Sequence, residues 1–153
     1  MSEDSGYDSR ADTLAHIHAV RDAIEVFVAG MLARGRVHDA SKLGAAEKPA
    51  FDAVMPLLRG VTYGSEAYEV LVRRMGPALE HHYRANSHHP EHHAAGVAGM
   101  DLFDVVEMLC DWMASAARKP EDGVKVDYNV RLFGIEPQLA SVLANTIKRW
   151  PVG

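Results

Sequence analysis

Apolar residues recur at helical spacing in the first part of the chain. They follow the 3.6-residue period of an amphipathic helix and comprise Leu14, Ile17, Val20, Ile24, Phe27, Val28 and Met31. Asp12 and Thr13, which precede this stripe, are residue types that cap helices, so we predict a helix from there to about Arg34. The polar, acidic stretch before it predicts a disordered tail over residues 1–11.

The rest of the chain also follows a helical period. We expect a short helix over 37–43 and further helices that begin near Pro49, at Ser65 and after the break at Gly76-Pro77. Beyond a loop over 86–100, the pattern predicts helices over 102–118, 126–133 and 137–150. No convincing alternating strand pattern appears. The sequence therefore predicts an all-α fold of about six or seven helices, as one domain over 12–153.

Composition narrows the classes of function. A net charge of −5 argues against a protein that coats DNA or RNA, because such a surface needs excess Lys and Arg. Cys110 is the only cysteine, which excludes an intramolecular disulfide and a multi-cysteine zinc site. No apolar run reaches the length of a membrane span, and the N-terminus does not resemble a signal peptide. We therefore expect a cytoplasmic protein without a membrane partner.

Histidine is the unusual component, since six of the nine histidines lie between residues 81 and 93. Neutral imidazole is a good ligand for transition metals at pH 7. Adjacent histidines on a helix diverge, so at most one of His81 and His82 is expected to be a primary ligand. A solvated polar loop and adventitious metal binding are the alternatives for this stretch.

The pair His38-Asp39 offers two further metal ligands of different type. Such a pair fills only part of a coordination sphere, so it needs ligands from other helices. Lys42 follows His38 by four residues and would share its helical face, where it could hold a phosphate oxygen. An exposed lysine is an equally good interpretation.

A carboxylate and an upstream histidine could complete the site. Asp104, Glu107 and Asp111 share one face of the helix over 102–118, which would normally be its solvated face. Because the flanks of this helix are mostly apolar, we predict that the helix is buried and that Asp111 binds a metal. Upstream, His16 lies nearer the apolar stripe than His18, although a surface position is the default for both.

The ordered set His16, His38-Asp39, His81/His82 and Asp111 resembles the HD-domain superfamily of helical metal proteins. The segments DTLAHIHAV, HDASKLGAAE, YGSEAY, ALEHHYRANSHHPEHH and MDLFDVVEMLCDW are similar to those of short, uncharacterised HD-like proteins from phages and bacteria. The resemblance extends over nearly the whole chain. Lys42 is similar in position to the lysine of the HD-x-x-K pattern found in the dinuclear branch.

The resemblance implies one or two divalent metal ions (Mn, Fe, Co, Zn or Mg) and hydrolysis of nucleotide phosphate esters. It implies core ligands at His16, His38, Asp39 and Asp111. His82 and His89, together with His81 and His88, become candidates for a second metal or for substrate phosphate. Fold-level analogy supplies an expectation of function and no more.

We therefore expect a metal-dependent phosphohydrolase that acts on a nucleotide or similar small anionic phosphate ester. Lys42 would steady the phosphate, and Glu107 or Glu47 would act as general base. Two alternatives remain, a metal-stabilised binding module without catalysis and an HD-type di-iron oxygenase. The apolar stripe of the first helix could also support a homodimer.

Overall fold

A computed structural model describes residues 7–118 and 123–150 of the chain. Within this part, the protein is all-α, as the sequence predicts, and contains no strand. Backbone contacts divide the chain into two compact units, residues 1–36 and residues 37–153. The predicted boundary between tail and domain, at residues 11 and 12, differs from this division. Residues 10 and 11 are helical, whereas residues 1–6 of the predicted tail lie outside the described residues.

The first unit is formed by a long helix, α1 (Arg10–Val37), which starts slightly before the predicted cap and runs past Arg34. None of its residues is buried. The stripe residues Leu14, Ile17, Val20, Ile24 and Val28 are exposed, so the periodicity predicts the helix correctly but not a buried face.

The second unit contains six α-helices among the described residues. They are α2 (Lys48–Leu58), α3 (Glu66–Arg73), α4 (Pro77–Ala85), α5 (Leu102–Ala117), α6 (Val126–Phe133) and α7 (Pro137–Arg149). Three short 3-10 helices lie between them, at Ala40–Leu43, Pro90–His92 and Gly96–Gly99. The first takes the place of the helix predicted over 37–43, and the other two interrupt the predicted loop over 86–100.

Local signals explain where several helices begin. Pro77 and Pro137 are the first residues of α4 and α7, where a missing N–H costs nothing. The Ser65 side chain accepts a hydrogen bond from the Tyr68 N–H at the start of α3. Asp101 and Asp104 form a reciprocal capping box at the start of α5. This box fixes the start of the helix that carries Glu107 and Asp111.

Two apolar clusters hold the second unit together. One joins α5 to the segment around α6 and α7 through Met108, Leu109, Ile135 and Leu143. The other contains Phe51 and Val54 of α2 together with Met75. Burial of each such side chain stabilises the fold by roughly 1.5–3 kcal/mol. α5 thus has one face in the core, and its acidic face is available to the site described below. No helix among the described residues is both long and apolar enough to cross a membrane.

Candidate metal centre

The backbone turns sharply at the His38-Asp39 pair. α1 ends at Val37, and Asp39 has a φ of 55°, the only positive φ at a non-glycine residue in the described part of the chain. Aspartate is one of the few residue types that tolerate this left-handed conformation. On a continuing helix the two side chains would diverge by about 100°. With the turn, His38 Nε2 lies 3.5 Å from Asp39 Oδ2, so both side chains face one point.

The acidic face of α5 points inward, towards the same place. Asp104 and Glu107 are buried and Asp111 is half-buried, which confirms the predicted burial of this helix. Asp111 Oδ1 lies 3.6 Å from His38 Nε2. Glu107 Oε1 lies 2.8 Å from the opposite ring nitrogen, His38 Nδ1. The two carboxylates, one helical turn apart, therefore contact both ring nitrogens of one imidazole.

Three histidines from the histidine-rich stretch complete the convergence. Nε2 of buried His82, on α4, lies 3.3 Å from Asp39 Oδ1 and 2.9 Å from His89 Nε2. His88 Nε2 lies 3.4 Å from the same Asp39 oxygen. Two facing Nε2 atoms can form a hydrogen bond only if one of them is protonated, whereas a cation can take the lone pairs of both. The Nε2 atoms of this cluster could therefore serve as ligands to a cation.

Two groups of side chains bring potential ligand atoms within 4.8 Å of one another. They are His38, His88 and Asp111, and Asp39, His88 and His89. Two buried side-chain atoms in the described part of the chain have no hydrogen-bond partner, and both belong to this cluster: Asp39 Oδ1 and His88 Nε2. Burying a polar atom without a partner costs about 1–3 kcal/mol, so such atoms call for a specific explanation. A bound cation would satisfy both.

Buried glutamates orient the histidines from outside the cluster. Glu107 Oε1 accepts from Nδ1 of His38 at 2.8 Å and lies 3.1 Å from Nδ1 of His88. Glu47 is fully buried and accepts from Nδ1 of His81 at 2.7 Å and from Nδ1 of His82 at 2.9 Å. A carboxylate on one ring nitrogen fixes the tautomer that leaves the other nitrogen as a ligand. Each glutamate thus holds two imidazoles.

Electrostatics keep several of the potential ligands ready for a cation. Burial lowers the pKa of His89 to about 3, with a further contribution from His88 and His82, and burial also lowers the pKa of His82. Burial alone would raise the pKa of Asp39, but the nearby His88 ring and the Lys42 ammonium group hold it well below its usual range. Neutral imidazoles and an ionised carboxylate are the forms that bind metals.

His38 differs from the other histidines because it faces carboxylates on both sides. The hydrogen bond to Asp111 is the largest influence on the pKa of His38, which rises to about 9 despite burial, with Glu107 adding to the effect. In the reciprocal direction, burial would raise the pKa of Asp111, but the hydrogen bond to His38 lowers it overall. Without a metal, a protonated His38 therefore balances the negative charge around it.

Lys42 lies at the edge of the cluster and is partly exposed to solvent. Its Nζ donates to Asp39 Oδ2 and sits 5.0 Å above the centre of the Phe51 ring. Its position beside Asp39 is compatible with the predicted site, and its side chain is also about a third exposed. Its predicted catalytic role stays a prediction.

The structure brings together seven of the eight site residues predicted from sequence: His38, Asp39, Lys42, His82, His89, Glu107 and Asp111. His16 lies on α1, in the other compact unit, with an exposed side chain, and its role as a ligand stays a prediction. His92 and His93 donate to the backbone carbonyls of Tyr83 and Ser87, so they stabilise the loop locally.

Two residues at the centre of the cluster are not identified as such by the sequence. His88 was only a supplementary candidate beside His89, yet it belongs to both groups of potential ligands. Glu47 was considered only as a base, and nothing in its spacing indicates that it contacts two histidines. No local signal identifies this role, since an acidic residue directly before a helix is common and the full burial of Glu47 comes only from tertiary packing.

Fold and site together define a helical protein with a buried cluster of histidine and carboxylate side chains that could hold a metal. The chain belongs to DUF5662, a family of unknown function, whose model matches residues 5–149. No curated protein matches the chain, and no solved structure does.

Proposed function

We propose that the protein is a metal-dependent phosphohydrolase that acts on a nucleotide or related small phosphate ester. The observation that carries the metal is the pair of buried, unpartnered atoms, Asp39 Oδ1 and His88 Nε2, inside a ring of histidine nitrogens. The resemblance of the motifs to the HD-domain superfamily supports the reaction class. An imidazole and carboxylate donor set suits Fe, Mn, Co or Zn better than Mg.

The residues that would hold the metal fall into two sets. His38, Asp39, His88 and Asp111 form one, and His82 and His89, which face Asp39 and each other, extend it towards a second position. When bound, a divalent ion lowers the pKa of a coordinated water and polarises a phosphoryl oxygen. This donor set is large enough for one or two ions.

Lys42 provides the phosphate-binding component of the proposal. Its ammonium group is held by Asp39 and Phe51 at the edge of the cluster, where it can donate to a non-bridging phosphate oxygen. Charge-assisted donation at a preorganised position stabilises the charge that develops during phosphoryl transfer. Lys42 thus orients and stabilises the substrate.

The buried glutamates have a supporting role in this proposal. Both Glu47 oxygens and Glu107 Oε1 already contact histidine Nδ1 atoms, which favours holding the imidazoles over acting as general base. Their effect is to exclude the wrong histidine tautomers. The base function predicted for either glutamate would require it to leave these contacts.

The cleft next to the cluster has the size expected for a small substrate. Its volume is about 790 Å³, within the usual range for ligand pockets. His38, Asp39, Lys42 and Asp111 all contribute to its lining, so the proposed metal position opens directly into it.

The test combines metal analysis with a phosphate-ester panel. Purified protein is loaded separately with Mn, Fe, Co, Zn and Mg, its metal content is counted, and phosphate release is measured on nucleotides and simple monoesters. We expect turnover with at least one metal, and loss of both metal and turnover in His88→Ala. His92→Ala is the matched control, because that histidine lies in the same stretch but bonds to a backbone carbonyl.

The outcomes separate the alternatives. Stoichiometric metal without turnover on any ester would refute the hydrolase and leave a metal-stabilised binding module. An iron-loaded protein with the absorption and magnetic signature of an oxygen-reactive di-iron centre would favour the oxygenase. Absence of metal binding in the wild type would refute all three.

A further inference from the structure

The cleft beside the proposed metal position extends well beyond the site. Besides the site residues, α2 and α5 line it, with α2 contributing Lys48, Phe51, Asp52, Met55 and Pro56 and α5 contributing Ala114. Arg59 and Arg118, which directly follow these two helices, also line it. A small phosphate bound at Lys42 would leave most of this cleft unused.

Helix geometry indicates where the two arginines lie relative to the cluster. Asp111, Ala114 and Arg118 are spaced i, i+3 and i+7 along α5, so they follow one face of the helix. At 1.5 Å per residue, Arg118 is about 10 Å along the axis from Asp111. This places the backbone of Arg118 about two helical turns from Asp111, and its guanidinium reaches back to the Ser115 hydroxyl.

α2 repeats this arrangement on the other wall. Phe51 is adjacent to the site, since its ring lies 5.0 Å from Lys42 Nζ and 5.4 Å from the His82 ring. Arg59 follows Phe51 by eight residues, which is about 12 Å along the helix axis. Each wall of the cleft thus begins at the cluster and ends in an arginine.

Charge pairing distinguishes these arginines from the lysines of the cleft. Lys42 pairs with Asp39, and Lys48 pairs with Asp52 at 2.6 Å. Arg59 and Arg118 form no ion pair with any residue in the described part of the chain, and Arg118 donates only to the neutral Ser115 hydroxyl. Two exposed guanidinium groups are therefore available to an anion at the end of the cleft remote from the metal.

The lining between the two ends combines apolar side chains with the Lys48–Asp52 ion pair. Leu43, Met55, Pro56 and Ala114 contribute to it, and Leu43 is 78% exposed although it lines a concave surface. Such a surface gains free energy when an apolar ligand segment covers it. The chemical order along the cleft is thus metal ligands and Lys42, then a section of apolar side chains with the paired Lys48 and Asp52, then two arginines.

We propose that the cleft selects phosphate esters that carry a second anionic group, which Arg59 and Arg118 bind across an apolar segment about 10 Å long. This inference rests on the proposed phosphohydrolase function and names its substrate class. The scissile phosphate lies at the cluster, and the second group, a phosphate or a carboxylate, lies between the arginines. Guanidinium groups suit this role because they bind such oxyanions in a bidentate manner.

The test uses matched synthetic esters. The metal-loaded protein is assayed for phosphate release from octyl phosphate and from butane-, octane- and dodecanediol bisphosphates, with each bisphosphate rate halved for its two equivalent ends. We expect kcat/KM to be about five- to tenfold higher for octanediol bisphosphate than for octyl phosphate, which corresponds to about 1–1.4 kcal/mol, the size of one ordinary hydrogen bond. The shorter bisphosphate should lose most of this preference.

Variants assign the preference to the arginines. In Arg59→Ala and Arg118→Ala, the ratio of kcat/KM between octanediol bisphosphate and octyl phosphate should fall towards one, and lysine at either position should restore part of it. Arg149→Ala is the matched control, because Arg149 also lies at the C-terminal end of a helix but does not line the cleft. It should retain the wild-type ratio, which excludes a general effect of helix-end charge.

A binding measurement keeps the inference separate from the proposed activity. Octane bisphosphonate and octyl phosphonate, which are not hydrolysed, are titrated into the wild type and the same variants. If the bisphosphonate binds more tightly than the monophosphonate, and this preference depends on Arg59 and Arg118, the inference is supported. This holds even if no ester is turned over, and in that case only the phosphohydrolase proposal fails. Equal binding of the two phosphonates, or a preference that survives both substitutions, overturns the inference.

Discussion

Glu47→Gln is the most informative single substitution because it replaces one carboxylate oxygen with an amide NH₂ and leaves the side-chain volume almost unchanged. Glu47 is fully buried, and its two oxygens separately accept hydrogen bonds from His81 at 2.7 Å and His82 at 2.9 Å. Burial alone would raise the pKa of Glu47, but hydrogen bonds from His81, Ser41 and His82 lower it overall, so the residue is an ionised acceptor. Glutamine replaces one of the two oxygens with a donor.

The expected effect follows from the number of acceptors. A glutamine can accept from only one of the two Nδ1–H groups and points its NH₂ at the other. If His82 is the ring that loses its acceptor, it favours the tautomer that carries the proton on Nε2, the atom that faces Asp39 and His89. Loss of such an outer contact typically weakens metal binding about 10- to 100-fold, which corresponds to roughly 1.4–2.7 kcal/mol.

The measurement is the metal dissociation constant, determined by competition with a chelator of known affinity. Nitrogen-15 NMR of the histidine rings reports the tautomer of His82 in the same samples. Glu80→Gln is the matched control, because Glu80 lies on the same helix as both histidines and is exposed. Circular dichroism establishes that both variants keep the helical fold.

Two results would refute the reasoning. An unchanged dissociation constant in a folded Glu47→Gln protein whose His82 tautomer has changed would show that Glu47 does not position a ligand. A loss of affinity with the same size in Glu80→Gln would show that the effect is one of total charge. We expect the His82 tautomer to change and metal binding to weaken together. A purely structural role of Glu47 would not produce this combination.

Three further predictions test the site and the fold. The pKa of His38 is raised from 6.5 to about 9 in the folded protein. Below pH 6.5, protonated His38 therefore stabilises the metal-free fold by up to about 3 kcal/mol. This stabilisation is lost as the pH rises through about 9. Metal binding near pH 7.5 should therefore release about one proton, measured by calorimetry in two buffers, and release of none would exclude His38 as a ligand. Lys42→Met should lower kcat roughly 100-fold while metal content is kept, and an unchanged kcat would remove Lys42 from the mechanism. Leu143 belongs to the core cluster of α5 and α7, so Leu143→Ala should lower the free energy of unfolding by about 2–5 kcal/mol in urea titrations. Metal affinity should be unchanged. A loss of metal affinity in this variant would contradict the separation of core and site.

Helical periodicity and capping residues predicted most of the fold. Pro77 and Pro137 begin helices, and the segment over 102–118 is a largely buried helix, because these signals depend on residues close in sequence. The stripe on α1 shows where this reasoning stops. The spacing predicts the helix correctly, but exposure depends on what packs against it, and periodicity carries no information about that.

The candidate site was partly predictable for a related reason. Residue type, the helical position of Asp111 and the resemblance of the motifs together indicate His38, Asp39 and Asp111, because histidine-aspartate sets are unusual and suited to metals. His88 and Glu47 could not be ranked, since a loop position and a buried glutamate acquire their roles only from tertiary contacts. The hydrogen bond from His38 to Glu107 was also not predictable from sequence. The same position on the helix would allow the Glu107 carboxylate to face either a metal or an imidazole.

The left-handed backbone at Asp39 makes the His38-Asp39 pair a poor candidate for transplantation into another protein. The position requires a carboxylate and also a residue that accepts a φ of 55°, and Asp meets both conditions where Glu does not. Asn would preserve the turn but remove the charge, and Gly would preserve only the turn. Introducing His-Asp into a straight helix would reproduce the two side chains but not their relative orientation. The smallest segment that could be transferred is therefore the pair together with the helix end before it and the 3-10 helix after it.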